Sequence, residues 1–178
     1  NYKLRRSTIK MNDLPAAFKG LKIAHISDVH AGSFDSEAAV LEGINMLMAE
    51  KPDIIFFTGD LVNNIAPEIV PYKSVFSQLK APLGVYSVLG NHDYGDYYKW
   101  DNDADKERNL ADLKQHQKDM GWDLLINEHR IIEKDGASIA IVGVENWGAN
   151  LRFPRHGDIE KATATIPNEV KCQILLSH

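Results

Sequence analysis

From Leu21 onward, short continuous apolar runs alternate with segments whose apolar residues return every three or four positions, the pattern of strands alternating with helices. LKIAHIS is the first run. After the turn residues Gly32 and Ser33, SEAAVLEGINMLMAE places Ala39, Val40, Gly43, Leu47 and Met48 at helical spacing, with Ser36 as the N-cap. Lys51 and Pro52 end that helix, and DIIFFTGD follows as an apolar strand of the kind buried on both faces. Strand, helix and strand in this order predict a right-handed parallel crossover.

The cycle repeats. PEIVPYKSVFSQLK reads as a helix broken near Pro71, and PLGVYSVLGNHD as a third strand running into a loop. A charged and aromatic stretch, DYYKWDNDADKERN, then leads into a helix, NLADLKQHQKDMGW, closed by Gly121. The last third is β-rich: DLLIN, then EHRIIEKDGASIAIVGVE with a hairpin at Lys134, Asp135 and Gly136, then VKCQILLSH. Ahead of all this, NYKLRRSTIK alternates charged and apolar residues and is expected as an edge strand, joined to the fold by the connection MNDLPAAFKG. The chain is therefore an α/β protein.

The length of 178 residues and 44% hydrophobic content fit one domain with a sizeable core. The formal charge of −5 gives no general attraction to nucleic acid or to an anionic membrane, so a phosphate handled here needs a local cation. The single cysteine, Cys172, excludes an internal disulfide framework and, lying beside QILLS, is expected as a buried structural thiol. No stretch reaches the apolar length that spans a bilayer, and no signal-peptide pattern opens the chain, which begins at Asn1.

Three of the apolar runs end in residues that bind metals and resist burial: Asp28 and His30, then Asp60, then Asn91, His92 and Asp93. In open α/β sheets the carboxyl ends of the strands are where ligands bind. Each motif alone is commonplace, since Asp and Asn are frequent in turns and a lone His usually satisfies a local hydrogen bond. Their joint occurrence, in order and each after a strand, is what points to a site.

DVH at Asp28 to His30, GDLVNN from Gly59 and GNHD from Gly90 resemble the calcineurin-like metallophosphoesterases over almost the whole chain. The resemblance implies a four-layer αββα sandwich, two mixed β-sheets flanked by helices. It also implies a binuclear centre of divalent transition metals (manganese, iron, zinc or nickel), in which Asp28 and His30 hold one ion, Asp60 bridges both, and Asn91 and His178 hold the second. His92 is then the catalytic proton donor or transition-state stabiliser, with Asp93 orienting its imidazole. Carboxylate, imidazole and carboxamide ligands suit such metals better than calcium, and two ions about 3.5–4 Å apart would activate a hydroxide for in-line attack on phosphorus.

The family continues to a G-H-x-H segment that completes both coordination shells, and this sequence stops before it at His178. The expectation is one domain over 1–178 that lacks its last strands and last ligand motif, with weak metal occupancy and poor turnover. His116, His129 and His156 fit no ligand pattern, and His25 is expected to pack within the first strand rather than bind metal. Asn146 and Trp147, after the sixth apolar run, offer a polar group and an aromatic wall to a substrate, or else form an ordinary loop. Tyr94, Tyr97, Tyr98 and Trp100 either rim the site or pack the insert onto the domain.

GDLVNN and GNHD differ from the GDxVDRG and GNHE patterns of protein Ser/Thr phosphatases, and the arginine is missing. A nuclease of the same superfamily and a non-catalytic metal-binding module are the competing functions; the absence of a basic stripe argues against nucleic acid. KLRRSTIKMNDLPAAFKG before the first motif resembles the bacterial membrane-associated subgroup, which implies a small-molecule or lipid-linked phosphate as substrate and an extracytoplasmic site attached to the membrane by segments outside this chain.

Overall fold

The computed structural model describes residues 2–148 and 155–178. Its strands are β1 (Ile23–Ile26), β2 (Ile54–Thr58), β3 (Val85–Val88), β4 (Asp123–Leu124), β5 (Glu128–Lys134), β6 (Ala137–Gly143) and β7 (Gln173–Leu176). Its α-helices are α1 (Glu37–Met48), α2 (Lys73–Phe76), α3 (Asp103–Asp119) and α4 (Ile159–Thr163).

Two sheets form, in the orders β1-β2-β3-β4 and β5-β6-β7. Every pair in the first is parallel, because a crossover separates each strand from the next. This corrects the expectation of two mixed sheets: only the second is mixed, with β5 and β6 joined as an antiparallel hairpin through Asp135 and Gly136 and β7 running parallel to β6.

Side-chain alternation builds the layers. On β2, Ile55 and Phe57 face a cluster with Val40 and Ile44 of α1, Val75 and Phe76 of α2, and Leu113 of α3. Their neighbours Ile54 and Phe56 face the opposite way, onto Ile132, Ile139, Ile141 and Leu176 of the second sheet and Cys172 just before β7. The alternate residues of β6, Ala140 and Val142, pack under Ala162 of α4. Helices, sheet, sheet and helix thus stack in four layers, as the resemblance implies. Each large aliphatic or aromatic side chain buried in this way stabilises the fold by about 1.5–3 kcal/mol.

Local signals hold at most boundaries. Ser36 accepts from the Ala39 N–H at 3.3 Å and starts α1. Pro71 has no N–H to give, and the segment it breaks is a 3₁₀ helix over Ala66–Tyr72 followed by one turn of α2. Helix α3 begins at Asp103, six positions before the expected Asn109, because Asn102 accepts from the Asp105 N–H at 2.9 Å and two acidic residues sit in the first turn against the helix dipole.

Residues 2–10 form no strand, contrary to expectation. Tyr2 instead lies against Gly43 of α1, and Arg6 donates to the carboxylate of Glu50. Alternation of this segment is spent on side-chain contacts with the helix layer rather than on a ladder with exposed β1.

Candidate metal centre

The ends of β1 and β2 are held together by continuing backbone hydrogen bonds. Asp28 N–H donates to the Gly59 carbonyl at 3.0 Å, His30 N–H to Asp60 at 3.0 Å, and Ala31 N–H to Leu61 at 2.9 Å. Gly59 and Gly90 pass so closely that a Cβ on Gly59 would fall on the Gly90 backbone, and one on Gly90 would fall on Asp60. Gly59 also has φ +92°, a conformation open to glycine at little cost. Both glycines are therefore dictated by the geometry that brings Asp60 and Asn91 together.

Among the described residues, the non-glycine residues with positive φ are Asp28, His30 and Asp60 together with Lys51, Asn127 and Asp135. Half of them are expected metal ligands, so left-handed backbone strain is concentrated at the strand ends, where it aims side chains at a common point.

Asp60 is that point. Its buried carboxylate accepts the His92 N–H on Oδ1 at 2.9 Å, while Oδ2 lies 3.5 Å from His30 Nε2 and 3.4 Å from His178 Nε2. Two groups of donor atoms result, each with all members within 4.8 Å of one another: His30, Asp60 and His92, and Asp28, Asp60 and His178. Asp60 is shared by both. Asp28 falls beside His178 rather than grouping with His30, and His92 falls beside His30.

His178 follows β7 of the second sheet, yet its Nδ1 donates to the carbonyl of Thr58 on β2 at 2.7 Å. That bond leaves Nε2 facing Asp60. Hydrogen bonding to Asp60 pushes the His178 pKa up to about 9 against the effect of burial, with the Thr58 carbonyl and the charges of Asp60 and Asp28 adding to the rise. Burial pushes the Asp60 carboxyl up, but the hydrogen bonds from His178 and the His92 N–H outweigh it and hold the group below the usual carboxylate range.

Asp93 is fully buried, and its carboxylate collects four backbone donors: Asp60 at 2.9 Å and Gly90 at 2.9 Å on Oδ2, Leu61 at 2.8 Å and Val62 at 3.3 Å on Oδ1. Burial pushes its pKa up to about 6 in spite of these donors, and the neighbouring Asp60 charge adds to the rise. The expected bond from Asp93 to the His92 imidazole is not made. His92 Nδ1 donates instead to the Asn63 carbonyl at 2.6 Å, because the carboxylate is occupied by buried amides that have no other acceptor. The imidazole stands edge-on to His30 at 4.8 Å between ring centres, with Tyr97 at 4.4 Å.

Asn91 donates its amide to the Tyr97 hydroxyl at 2.9 Å, which orients the carboxamide. Tyr97 and Tyr98 are exposed at the rim, whereas Tyr94 is buried and donates to Glu145 at 3.0 Å, and Trp100 donates to Gly95 at 2.7 Å. The aromatic insert therefore divides between rim and packing.

Asn146 is buried, and Trp147 is exposed under the Arg155 guanidinium at 5.2 Å; residues 149–154 between them lie outside the described residues. His25 is exposed rather than packed, since β1 is an edge strand, and it meets Thr58 Oγ1 at 2.7 Å outside both donor groups. His116 lies beside Lys73, His129 meets the Ala162 carbonyl, and His156 stacks on Tyr94, all away from the donor groups.

Sequence reasoning missed Glu68, whose carboxylate accepts from the N–H groups of Asn63, Asn64 and Ile65. It also missed Glu145, which takes both Tyr94 and Asn127. Glu68 carried a visible signal, the spacing at which an acid caps a helix start behind a proline, here Pro67. Glu145 carried none.

The donor set, imidazole nitrogens and carboxylate oxygens around one shared carboxylate, fits divalent transition metals. The sequence model of the calcineurin-like phosphoesterases matches residues 21–178. The chain is 30% identical over 175 residues to a transmembrane protein with metallophosphoesterase domain from Danio rerio, covering 96% of this chain and 37% of that protein. It is 32% identical over 163 residues to the uncharacterized metallophosphoesterase YkoQ of Bacillus subtilis, covering 84% and 55%. It is 36% identical over 102 residues to the UDP-2,3-diacylglucosamine pyrophosphatase LpxG of Chlamydia trachomatis, covering 55% and 31%. The chain thus spans between about a third and just over half of the relatives it matches.

Proposed function

This chain belongs to the calcineurin-like phosphoesterase family, and we propose that it hydrolyses a phosphoric ester or pyrophosphate bond at a centre of two divalent transition metal ions. The observation that carries this is the position of Asp60 Oδ2 between the Nε2 atoms of His30 and His178. Asp28, His30, Asp60, Asn91 and His178 would hold the ions, with manganese, iron, zinc and nickel all suited to these donors. Such ions, when bound, supply Lewis acidity to the phosphoryl oxygens and bring the pKa of water to the range where it attacks at neutral pH.

The chain's own residues do the rest. His92, with its Nδ1–H held by the Asn63 carbonyl, presents Nε2 to the departing oxygen. Protonated there, it hands over that proton and is left as a neutral imidazole. Asp93 does not touch the reacting atoms but fixes the Asp60 and Gly90 backbones relative to each other. Asn146 and Trp147 line the approach to substrate in this scheme.

The activity named for LpxG, a UDP-2,3-diacylglucosamine pyrophosphatase, supports a lipid-linked or small-molecule phosphate as the substrate class. Among the described residues no helix is long and apolar enough to cross a membrane, and the name of the Danio rerio relative supports membrane attachment through segments other than these.

Transition-metal content and hydrolysis of bis-p-nitrophenyl phosphate test the proposal, on this chain and on a form extended through the family's G-H-x-H segment, each beside Asp60→Ala. About two ions per chain and turnover in the extended form, both lost in the variant, are the expected result. An extended form that binds no transition metal and is as inert as Asp60→Ala would overturn it.

A further inference from the structure

Glu68 lies in a 3₁₀ helix behind the GDLVNN loop, and its carboxylate spans that loop. Oε2 accepts the Asn63 N–H at 2.6 Å, and Oε1 accepts those of Asn64 and Ile65, each at 3.1 Å. Three consecutive amides pointing at one carboxylate turn the peptide planes of the loop in a fixed direction. The carbonyl of Asn63 is thereby left to face the other way, and it accepts His92 Nδ1 at 2.6 Å.

Two further contacts lock this arrangement. The Asn63 side chain exchanges hydrogen bonds with the Ser33 hydroxyl at 2.9 and 3.2 Å, tying the loop to the turn that follows His30. Gly32 in that turn packs so closely on the Glu68 carboxylate that a Cβ there would collide with it. The carboxylate therefore fills the space that a side chain at position 32 would need.

We infer that Glu68 is a positioning residue for His92: through the Asn63 peptide it keeps the proton on Nδ1 and Nε2 aimed at the metal side. This rests on the assignment of His92 as the proton donor and adds the group that sets its tautomer. A carbonyl can accept but not donate, so its orientation decides which ring nitrogen carries the hydrogen. The alternative role for Glu68 is an ordinary helix cap, with no effect beyond stability.

Long-range ¹⁵N–¹H correlation of the histidine rings in the metal-free chain separates the two roles without relying on turnover. In the parent chain His92 is expected as the Nδ1–H tautomer. Glu68→Ala is expected to give a tautomer mixture, and Glu68→Gln, which keeps an oxygen acceptor, an intermediate one. In the metal-loaded extended form, kcat for bis-p-nitrophenyl phosphate is expected to fall about tenfold or more in Glu68→Ala, with KM and metal content changed less than about twofold. Ser36→Ala, which removes the α1 cap, serves as the control: a similar fall in melting temperature with no change in His92 signals.

An unchanged His92 tautomer in Glu68→Ala, or an equal change in Ser36→Ala, would overturn the inference. If Glu68→Ala does not fold, Glu68→Gln decides on the same signals. A parent protein without turnover would count against hydrolysis as the function, while the ring spectra would still decide what Glu68 does.

Discussion

His178 and Asp60 meet across the two sheets, Nε2 lying 3.4 Å from Oδ2, and the same carboxylate oxygen lies 3.5 Å from His30. One oxygen shared by two imidazoles from different layers is a demanding arrangement, and it sets what each substitution should do.

Asp60→Ala removes the shared acceptor of both donor groups. Bound transition metal should fall to background and hydrolysis by at least about 100-fold, beyond the 10–100-fold typical of residues that only support a ligand. Elemental analysis of dialysed protein beside a turnover assay checks this.

Asp93→Asn keeps the shape but turns an NH₂ toward amide donors that now face a carboxylate oxygen. Leaving such buried donors unpaired should cost roughly 2–4 kcal/mol. Urea unfolding of the two proteins followed by circular dichroism measures it, and a difference under about 0.5 kcal/mol would mean that the carboxylate does not hold the loops, since unpaired buried groups cost more than that.

Gly90→Ala places a methyl group on the Asp60 backbone. Overpacking at this crossing should cost about 1–3 kcal/mol. Displacement of Asp60 should also weaken metal binding, a combination not expected from alanine at Gly121, where φ +83° costs stability but the added carbon meets open space away from the site. Melting curves and metal titrations of the two variants provide the comparison.

Tyr94 contributes to the alkaline side of the stability profile. Burial, then the charge of Glu145 and the hydrogen bond to it, push the phenol above its ordinary range. A raised folded pKa means that the unfolded chain releases this proton first. The contribution is therefore intact below about 10, the ordinary phenol value, and is lost as pH rises beyond it. Denaturant unfolding between pH 8 and about 11 should show a steeper loss in the parent than in Tyr94→Phe.

Much of this was written in the chain. Apolar runs of strand length ending in DVH, GD and GNHD place the site at the carboxyl edge, and the structure puts those residues there because parallel pairing aligns the strand ends. The position of His178 against Thr58 was legible only as a His at the end of an apolar run. What the sequence hid was backbone chemistry. Asp93 and His92 are adjacent, so a pairing between them was the natural expectation, yet the carboxylate goes to four amides whose need for an acceptor has no trace in residue identity. Glu68 was similarly hidden, since its effect on His92 passes through a peptide group. NYKLRRSTIK misled because alternation describes any segment lying along a surface, whether or not a ladder neighbours it.

The bond between Thr58 and His178 joins positions 120 residues apart. A flexible loop of that size closes only against chain entropy, and the first and second sheets must dock before the two ends can meet. An ion shared by Asp60 and His178 would act as a staple across the two sheets, holding shut the long loop between them. Any free energy of binding that discriminates the docked arrangement from the undocked one would then appear as global stability, so the catalytic cofactor would double as a structural clasp whose removal lets the second sheet part from the first.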